Sequence, residues 1–275
     1  MMESGVPAGV GVLVVGHGTA DPVGAGECRQ VAAAVAGLLP GVAVELGFLE
    51  VIAPTIDDAL ARLVVRGCHD VVAAPLLLFA AGHARHDVPE AVAAAAAVRG
   101  VRVRQSAAFG AIDAIVQASV RRRQEAVAAR PPVSARETVL VMVGRGSSDP
   151  TALAQLRELA DAIQRRQEWT PQRVEYGFVA AARPRLDEAL EAACDPIAGS
   201  VRRIVVHPHL LFSGHVEDQV SDAVEAARSR RPDIDWVRVP RLGADPLVAR
   251  AVVQRVAEEI GRPSPARQGE AKSSQ

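Results

Sequence analysis

The most constraining feature of the chain is that one pattern of residues occurs in it twice. Three segments of the first half return, in the same order, in the second half: GHGTADP at 16–22 returns as GRGSSDP at 144–150, GF at 47–48 returns as GF at 177–178, and PLLLF at 75–79 returns as PHLLF at 208–212. The spacing between the matches changes by only a few residues, which is typical of a duplicated unit with small loop changes. The sequence therefore predicts two tandem copies of one domain.

The length of the chain fits this duplication. Its 275 residues are enough for two domains of roughly 125 residues, each large enough to bury its own core. We predict a first domain at residues 1–130 and a second at 138–260, with a proline-containing linker between them. The remaining segment, 261–275, is rich in Ser, Gln and charged residues and is predicted to be disordered.

Short runs rich in Val, Ile and Leu alternate with longer stretches of helical pattern. In the first copy the predicted strands are 10–15, 43–49, 70–78 and 101–107, and the predicted helices are 24–39, 55–66, 88–97 and 112–129. Uniformly apolar strands that alternate with helices are typical of a parallel sheet covered on both faces. The second copy repeats this order. We predict an α/β fold of two tandem domains, each an open parallel sheet with helices on both faces.

Composition argues against several classes of partner. The chain has 31 basic and 32 acidic residues and a formal net charge of −1, so no electrostatic field favours nucleic acid or an anionic membrane. The three cysteines form no CxxC pair, and no apolar run reaches the length of a membrane span. We therefore expect a cytoplasmic protein without disulfides and without nucleic-acid or membrane partners.

Three polar residues of the first copy follow the ends of predicted strands: His17, Glu50 and His83. Ligands bind at this edge of an open parallel sheet. Two imidazoles and a carboxylate on converging loops suit a divalent transition metal and leave coordination positions open. Each residue alone has an ordinary alternative, as a turn, loop or solvated charged residue. A phosphate-binding loop at 16–18 is disfavoured, because the GxGxxG spacing and a nearby lysine are missing.

The second copy differs at the position that matters most for this chemistry. Arg145 stands where the first copy has His17. An imidazole can bind a metal ion or accept a proton near neutral pH, whereas a guanidinium stays charged and does neither. A second metal site is therefore not expected. Arg145, together with His209 and His215, is a candidate partner for the carboxylates of a bound anion. The alternative is that these residues have ordinary packing or loop roles, and the same alternative is open for His207.

At these residues the chain resembles the class II tetrapyrrole chelatases, in particular the two-domain sirohydrochlorin cobaltochelatases and ferrochelatases. The resemblance rests on five segments: VVGHGTADP at 14–22, GFLE at 47–50, LLLFAAGHARHDVPE at 76–90, GRGSSDP at 144–150 and PHLLFSGHVEDQV at 208–220. It implies two chelatase-like domains that face each other across a cleft holding the macrocycle. His209 and His215 depart from the family pattern, in which aromatic and apolar residues are frequent at these positions.

The resemblance also implies roles for individual residues. His17 and His83 would bind the incoming metal, and His17 would accept protons from the pyrroles. The resulting site has catalytic residues His17, Glu50 and His83, metal ligands His17 and His83, and substrate contacts Leu78, Phe79, Ala80, Ala81, Gly82, Arg145, His209 and His215.

The implied reaction is ATP-independent insertion of a divalent metal into sirohydrochlorin, in cobalamin or sirohaem biosynthesis. The metal ion is a substrate, with Co²⁺ preferred over Fe²⁺, and no tightly bound cofactor is expected. The duplication favours a monomer, because two copies in one chain can form the cleft without a dimer. Two alternatives stay open: a non-catalytic metal-delivery or tetrapyrrole-binding protein that uses the same cleft, and a binding module for an unrelated anion. Imidazole and carboxylate ligands do not by themselves select the metal.

Overall fold

Two four-stranded parallel sheets with the same strand order form the framework of the protein. The computed structural model describes residues 6–79, 86–149, 151–167, 169–195 and 200–262. The first sheet, ordered β2-β1-β3-β4, contains β1 (Val10–Gly16), β2 (Ala43–Phe48), β3 (Asp70–Pro75) and β4 (Arg102–Gln105). The second sheet, ordered β6-β5-β7-β8, contains β5 (Thr138–Gly144), β6 (Arg173–Phe178), β7 (Arg203–Pro208) and β8 (Asp235–Arg238). The predicted α/β fold with two open parallel sheets is confirmed.

Helices connect the strands in the predicted order. They are α1 (Pro22–Leu38), α2 (Ile56–Val65), α3 (Asp87–Arg99), α4 (Asp113–Ala128), α5 (Thr151–Arg165), α6 (Leu186–Cys194), α7 (His215–Arg230) and α8 (Pro246–Ile260), with a 3₁₀ turn at Ala135–Glu137. Within the described residues, no helix has the length and apolar character needed to cross a membrane. The predicted disordered tail falls almost entirely at 263–275, outside the described residues.

The third strand is shorter than predicted, because the chain makes a tight turn directly after its last residue. The sequence pattern extends the strand to residue 78, but β3 ends at Pro75. Leu76 still donates its N–H to the Val15 carbonyl at 2.8 Å. The N–H of Leu77 then turns back to the Pro75 carbonyl at 2.9 Å, an i to i+2 bond that closes a γ-turn and ends the ladder.

The cores of the two halves are continuous on one side. On their outer faces the sheets pack separately, the first against α2 and α3 and the second against α6 and α7. The inner faces share one cluster of buried residues, to which α1, α4, α5 and α8 all contribute. Although each half is long enough to bury a core of its own, the apolar inner face of each sheet is completed by residues of both halves.

The shared core arises because the two halves exchange their last helices. Helix α4 of the first half packs against α5 and β8, and α8 of the second half packs against α1 and β3. The exchange is reciprocal in its hydrogen bonds as well: Arg122 on α4 donates to the Leu242 carbonyl at 3.0 Å, and Arg255 on α8 donates to the Phe109 carbonyl. Each half therefore contributes a helix that covers the sheet of the other.

Candidate functional site

The His17 turn leaves β1 at the carboxyl edge of the first sheet. Two backbone bonds align this turn with the end of β2: Leu49 donates to the Gly16 carbonyl at 2.9 Å and Glu50 to the His17 carbonyl at 3.1 Å. Gly18 has a φ of +101°, and a Cβ there would lie 2.0 Å from the Glu50 carbonyl oxygen. Only glycine allows so close an approach, so the GHG sequence brings the two strand ends together.

The turn places the side chains of His17 and Glu50 in contact. Nε2 of His17 lies 3.1 Å from Oε1 of Glu50, and the two side chains are 49% and 59% exposed. Their contact is therefore open to a ligand from solvent. Because a carboxylate can only accept, a neutral His17 ring in this contact carries its proton on Nε2, and the lone pair on Nδ1 is then available to a ligand. The structure thus brings together two of the three polar residues that the sequence placed at this edge.

The third residue of the predicted metal site cannot be placed. His83 lies outside the described residues, as do the predicted substrate contacts Ala80, Ala81 and Gly82. Within the described part of the chain, no group of three or more His, Cys, Asp or Glu residues could hold a metal ion. The described part of the candidate site is therefore the His17–Glu50 pair.

The second sheet repeats the backbone of this turn with different side chains. Val179 donates to the Gly144 carbonyl at 3.2 Å, and Ala180 donates to the Arg145 carbonyl at 2.9 Å. Gly146, with a φ of +90°, repeats the close approach of Gly18. Arg145 and Ala180 thus occupy the positions of His17 and Glu50. The Arg145 side chain is exposed, and its guanidinium forms no hydrogen bond or ion pair with another described residue.

The ends of β3 and β7 meet between the two halves. The half-buried ring of Phe79 lies 5.6 Å from the ring of His209, at an interplanar angle of 43°. Leu78 instead belongs to the shared core and is only 9% exposed. Its side chain thus packs inside the protein, and its role as a substrate contact stays a prediction.

His209 also differs from its predicted role. The side chain is buried, and neither ring nitrogen has a hydrogen-bond partner among the described residues. Burial disfavours the charged imidazole and lowers the pKa of His209 to about 3. The ring is therefore neutral at neutral pH, which argues against a cationic pairing with carboxylates; the role of His209 as a substrate contact stays a prediction. His207, buried on β7, has a pKa well below its ordinary value because of burial and the nearby charge of Arg123.

His215 lies at the first position of α7, where it is exposed. No hydrogen bond or ion pair joins its ring to another described residue, so the structure does not bring it together with His209. Its role as a substrate contact stays a prediction.

A contact that the sequence did not indicate joins the two halves beside the start of α1. Glu27 accepts the backbone N–H of Ser213 at 2.9 Å and pairs with Arg241 at 2.8 Å. A hydrogen bond from Ser213 is also the main cause that holds the pKa of Asp21, the N-cap of α1, below its ordinary value. Gly24 permits the contact, since a Cβ there would lie 2.3 Å from the Ser213 carbonyl oxygen. No local pattern could have predicted these pairs, because their members belong to different halves.

Comparison with known proteins agrees with the duplicated fold. A family model described as CbiX matches the chain twice, over residues 11–126 and 139–259. The chain belongs to the CbiX family. The two matches of this CbiX protein correspond to the two sheets, and they leave out the segment that contains the 3₁₀ turn.

Relatives of this CbiX protein include chelatases named for two different metals. It is 30% identical over 253 residues to the sirohydrochlorin ferrochelatase of Bacillus subtilis (strain 168), with 90% of each chain covered. It is 25% identical over 250 residues to the sirohydrochlorin cobaltochelatase of Priestia megaterium, covering 90% of this chain and 79% of that one. The match to the sirohydrochlorin ferrochelatase of Priestia megaterium, 31% identical, spans 66% of this chain and 65% of that one.

Solved structures with the same architecture include two of SirB. The structure of SirB from Bacillus subtilis with Fe³⁺ superposes with a TM-score of 0.74 at 27% identity and covers 92% of this CbiX protein and 96% of SirB. SirB from Bacillus subtilis subspecies spizizenii in complex with cobalt gives a TM-score of 0.73 at 26% identity, with 91% and 94% covered.

Proposed function

We propose that this CbiX protein inserts a divalent metal, Co²⁺ or Fe²⁺, into sirohydrochlorin without ATP. The observation that carries the proposal is the exposed His17–Glu50 pair at the carboxyl edge of the first sheet. Membership of the CbiX family and the relatives named sirohydrochlorin ferrochelatase and cobaltochelatase support this assignment. The SirB structures with Fe³⁺ and with cobalt support the metals as substrates.

The pair is suited to the two tasks of metal insertion. The incoming ion must lose water, and two pyrrole N–H protons must leave the macrocycle. Nδ1 of His17 can act as a metal ligand while Glu50 orients the ring through Nε2, a common arrangement at metal sites. When the ion moves into the macrocycle, the freed imidazole can accept the two pyrrole protons one after the other, passing the first to solvent water, to which its side chain is exposed. The Glu50 carboxylate at 3.1 Å stabilises the imidazolium that forms each time. In this proposal His83 is the second metal ligand.

The two repeats divide the work between them. The first repeat, residues 1–130, handles the metal, and the second, residues 138–260, holds the macrocycle. Sirohydrochlorin is a polycarboxylate, and the exposed guanidinium of Arg145 is a suitable partner for one carboxylate. Phe79 and the neutral His209 supply an apolar contact and an uncharged imidazole between the halves. The protein would work as a cytoplasmic monomer whose two repeats form the cleft, in cobalamin or sirohaem biosynthesis.

An anaerobic insertion assay tests the proposal directly. Sirohydrochlorin is incubated with catalytic amounts of protein and either Co²⁺, Fe²⁺ or Ni²⁺, and insertion is followed by absorbance. We expect many turnovers per protein, with Co²⁺ faster than Fe²⁺. Stoichiometric binding without turnover would instead identify a metal-delivery or tetrapyrrole-binding protein. Failure to bind any tetrapyrrole would overturn the assignment altogether.

Replacing His83 with alanine tests the proposed second metal ligand. We expect His83→Ala to weaken Co²⁺ binding and to slow insertion, but less than loss of His17 does, because the proton acceptor remains. Metal titration and the insertion assay measure the two effects separately. If metal affinity and rate both stay at the wild-type level, His83 is an ordinary loop residue.

A further inference from the structure

Val51 has an unusual backbone conformation directly after Glu50. Its φ is +70°, and Ile52 donates its N–H to the Glu50 carbonyl at 2.8 Å. A positive φ combined with an i to i+2 bond is the rare and strained form of the γ-turn. A β-branched side chain makes this conformation still less favourable. Glycine would adopt the same turn without strain, so the turn itself does not require valine.

Burial does not offset this strain in the protein alone. The Val51 side chain is 64% exposed. Backbone strain and the exposure of an apolar group both make valine unfavourable here, and Val51 belongs to none of the apolar clusters formed by the described residues. The exposed side chain is therefore accessible to a ligand.

The position of Val51 places its side chain next to the proposed metal site. Glu50 is fixed on the turn by its N–H bond to the His17 carbonyl and by its side-chain contact with Nε2 of His17. Ile52, on the other side, packs against the shared core. Val51 is thus the exposed apolar residue of this turn, at the same strand-end edge as the proposed metal ligand.

The second half provides an internal comparison. Ala181 follows Ala180 as Val51 follows Glu50, and Ala181 and Val51 are the only non-glycine residues with positive φ in the described part of the chain. Ala181 has a φ of +53° and a single methyl group. The larger apolar side chain therefore occurs only in the repeat that carries the His17–Glu50 pair.

We propose that Val51 is a specificity-determining residue whose exposed side chain packs against the apolar surface of the bound macrocycle and sets its position over the His17–Glu50 pair. This inference rests on the proposed function, because it takes the ligand to be a planar, conjugated tetrapyrrole. Contact with the macrocycle would remove the Val51 methyl groups from water, which favours the bound state.

Two substitutions separate the side-chain contact from the backbone strain. Val51→Ala removes two methyl groups but keeps a residue with a Cβ at positive φ, and Val51→Gly removes both the side chain and the strain. Both variants should raise the KM for sirohydrochlorin about three- to ten-fold, with a smaller change in kcat. The melting temperature should rise by a few degrees in Val51→Gly and change less in Val51→Ala. Ala181→Gly is the matched control: it should raise the melting temperature and leave KM unchanged.

The outcomes distinguish this inference from the function on which it rests. If the wild-type protein neither binds nor metallates sirohydrochlorin, the proposed function fails. If the wild type is active and both Val51 variants keep its KM, the proposed contact is wrong. A loss of kcat in Val51→Gly with wild-type kinetics in Val51→Ala would also overturn it, since the turn would then serve only to hold Glu50.

Discussion

Replacing His17 with alanine is expected to slow metal insertion by about 100-fold or more while the protein stays folded. A positioned general base typically contributes a factor of about 10²–10⁴ in rate, and this variant also loses a metal ligand. The side chain is 49% exposed on a strand-end turn, so its removal creates no cavity in the core. The insertion assay measures the rate, and thermal unfolding followed by circular dichroism checks the fold.

Two further variants make the His17 result specific. His69→Ala removes another exposed histidine, which lies before β3 at the opposite edge of the same sheet, and should keep wild-type turnover. Glu50→Gln keeps a hydrogen-bonding side chain but removes the charge that stabilises the imidazolium, so its rate should lie between those of His17→Ala and the wild type. Wild-type turnover by His17→Ala would exclude His17 from both proposed roles.

Replacing Arg145 with alanine is expected to weaken binding of sirohydrochlorin and to spare binding of the metal. A hydrogen bond to a charged group contributes about 1.5–3 kcal/mol, so KM should rise roughly ten-fold or more, with a smaller change in kcat. Steady-state kinetics and a Co²⁺ titration measure these effects. Arg202→Ala is a suitable control, because this arginine lies just before β7, at the opposite edge of the sheet. An unchanged KM in Arg145→Ala would contradict its role in holding the substrate.

Restoring histidine at position 145 should not create a second active site. The backbone of the second turn matches that of the first, but Ala180 stands where Glu50 would be needed to orient the ring. Arg145→His should therefore bind no second metal ion tightly and should lose substrate affinity much as Arg145→Ala does. Calorimetric titration with Co²⁺ tests this. A second tight site with doubled turnover would show that the two repeats are equivalent and that the division of labour is wrong.

The sequence predicted the parts of the fold that repeat locally. The duplicated segments and the apolar strands were enough to predict two parallel sheets, and the strand ends were enough to bring His17 and Glu50 to one edge. The assignment of roles to these residues stays a prediction, as does the role of His83.

Other features depend on contacts that a local pattern cannot predict. An amphipathic helix shows that it has an apolar face but not which sheet it covers, so the exchange of α4 and α8 was missed. The burial of His209 was missed for a related reason: when both faces of a strand are covered, alternation does not identify an outward side. The turn at Val51 has a backbone conformation that valine disfavours, so the residue type gave no reason to predict a turn at this position.

The exchange of helices also limits which parts of such a duplicated protein can be lost during evolution. If one repeat were deleted, the other would lose the helix that covers the inner face of its sheet and would expose a large apolar surface to water. The second repeat is thus needed for folding even though Arg145 and Ala180 replace His17 and Glu50 in it. Its strand-end turn is free to acquire new side chains, while α8 keeps it joined to the sheet that carries His17.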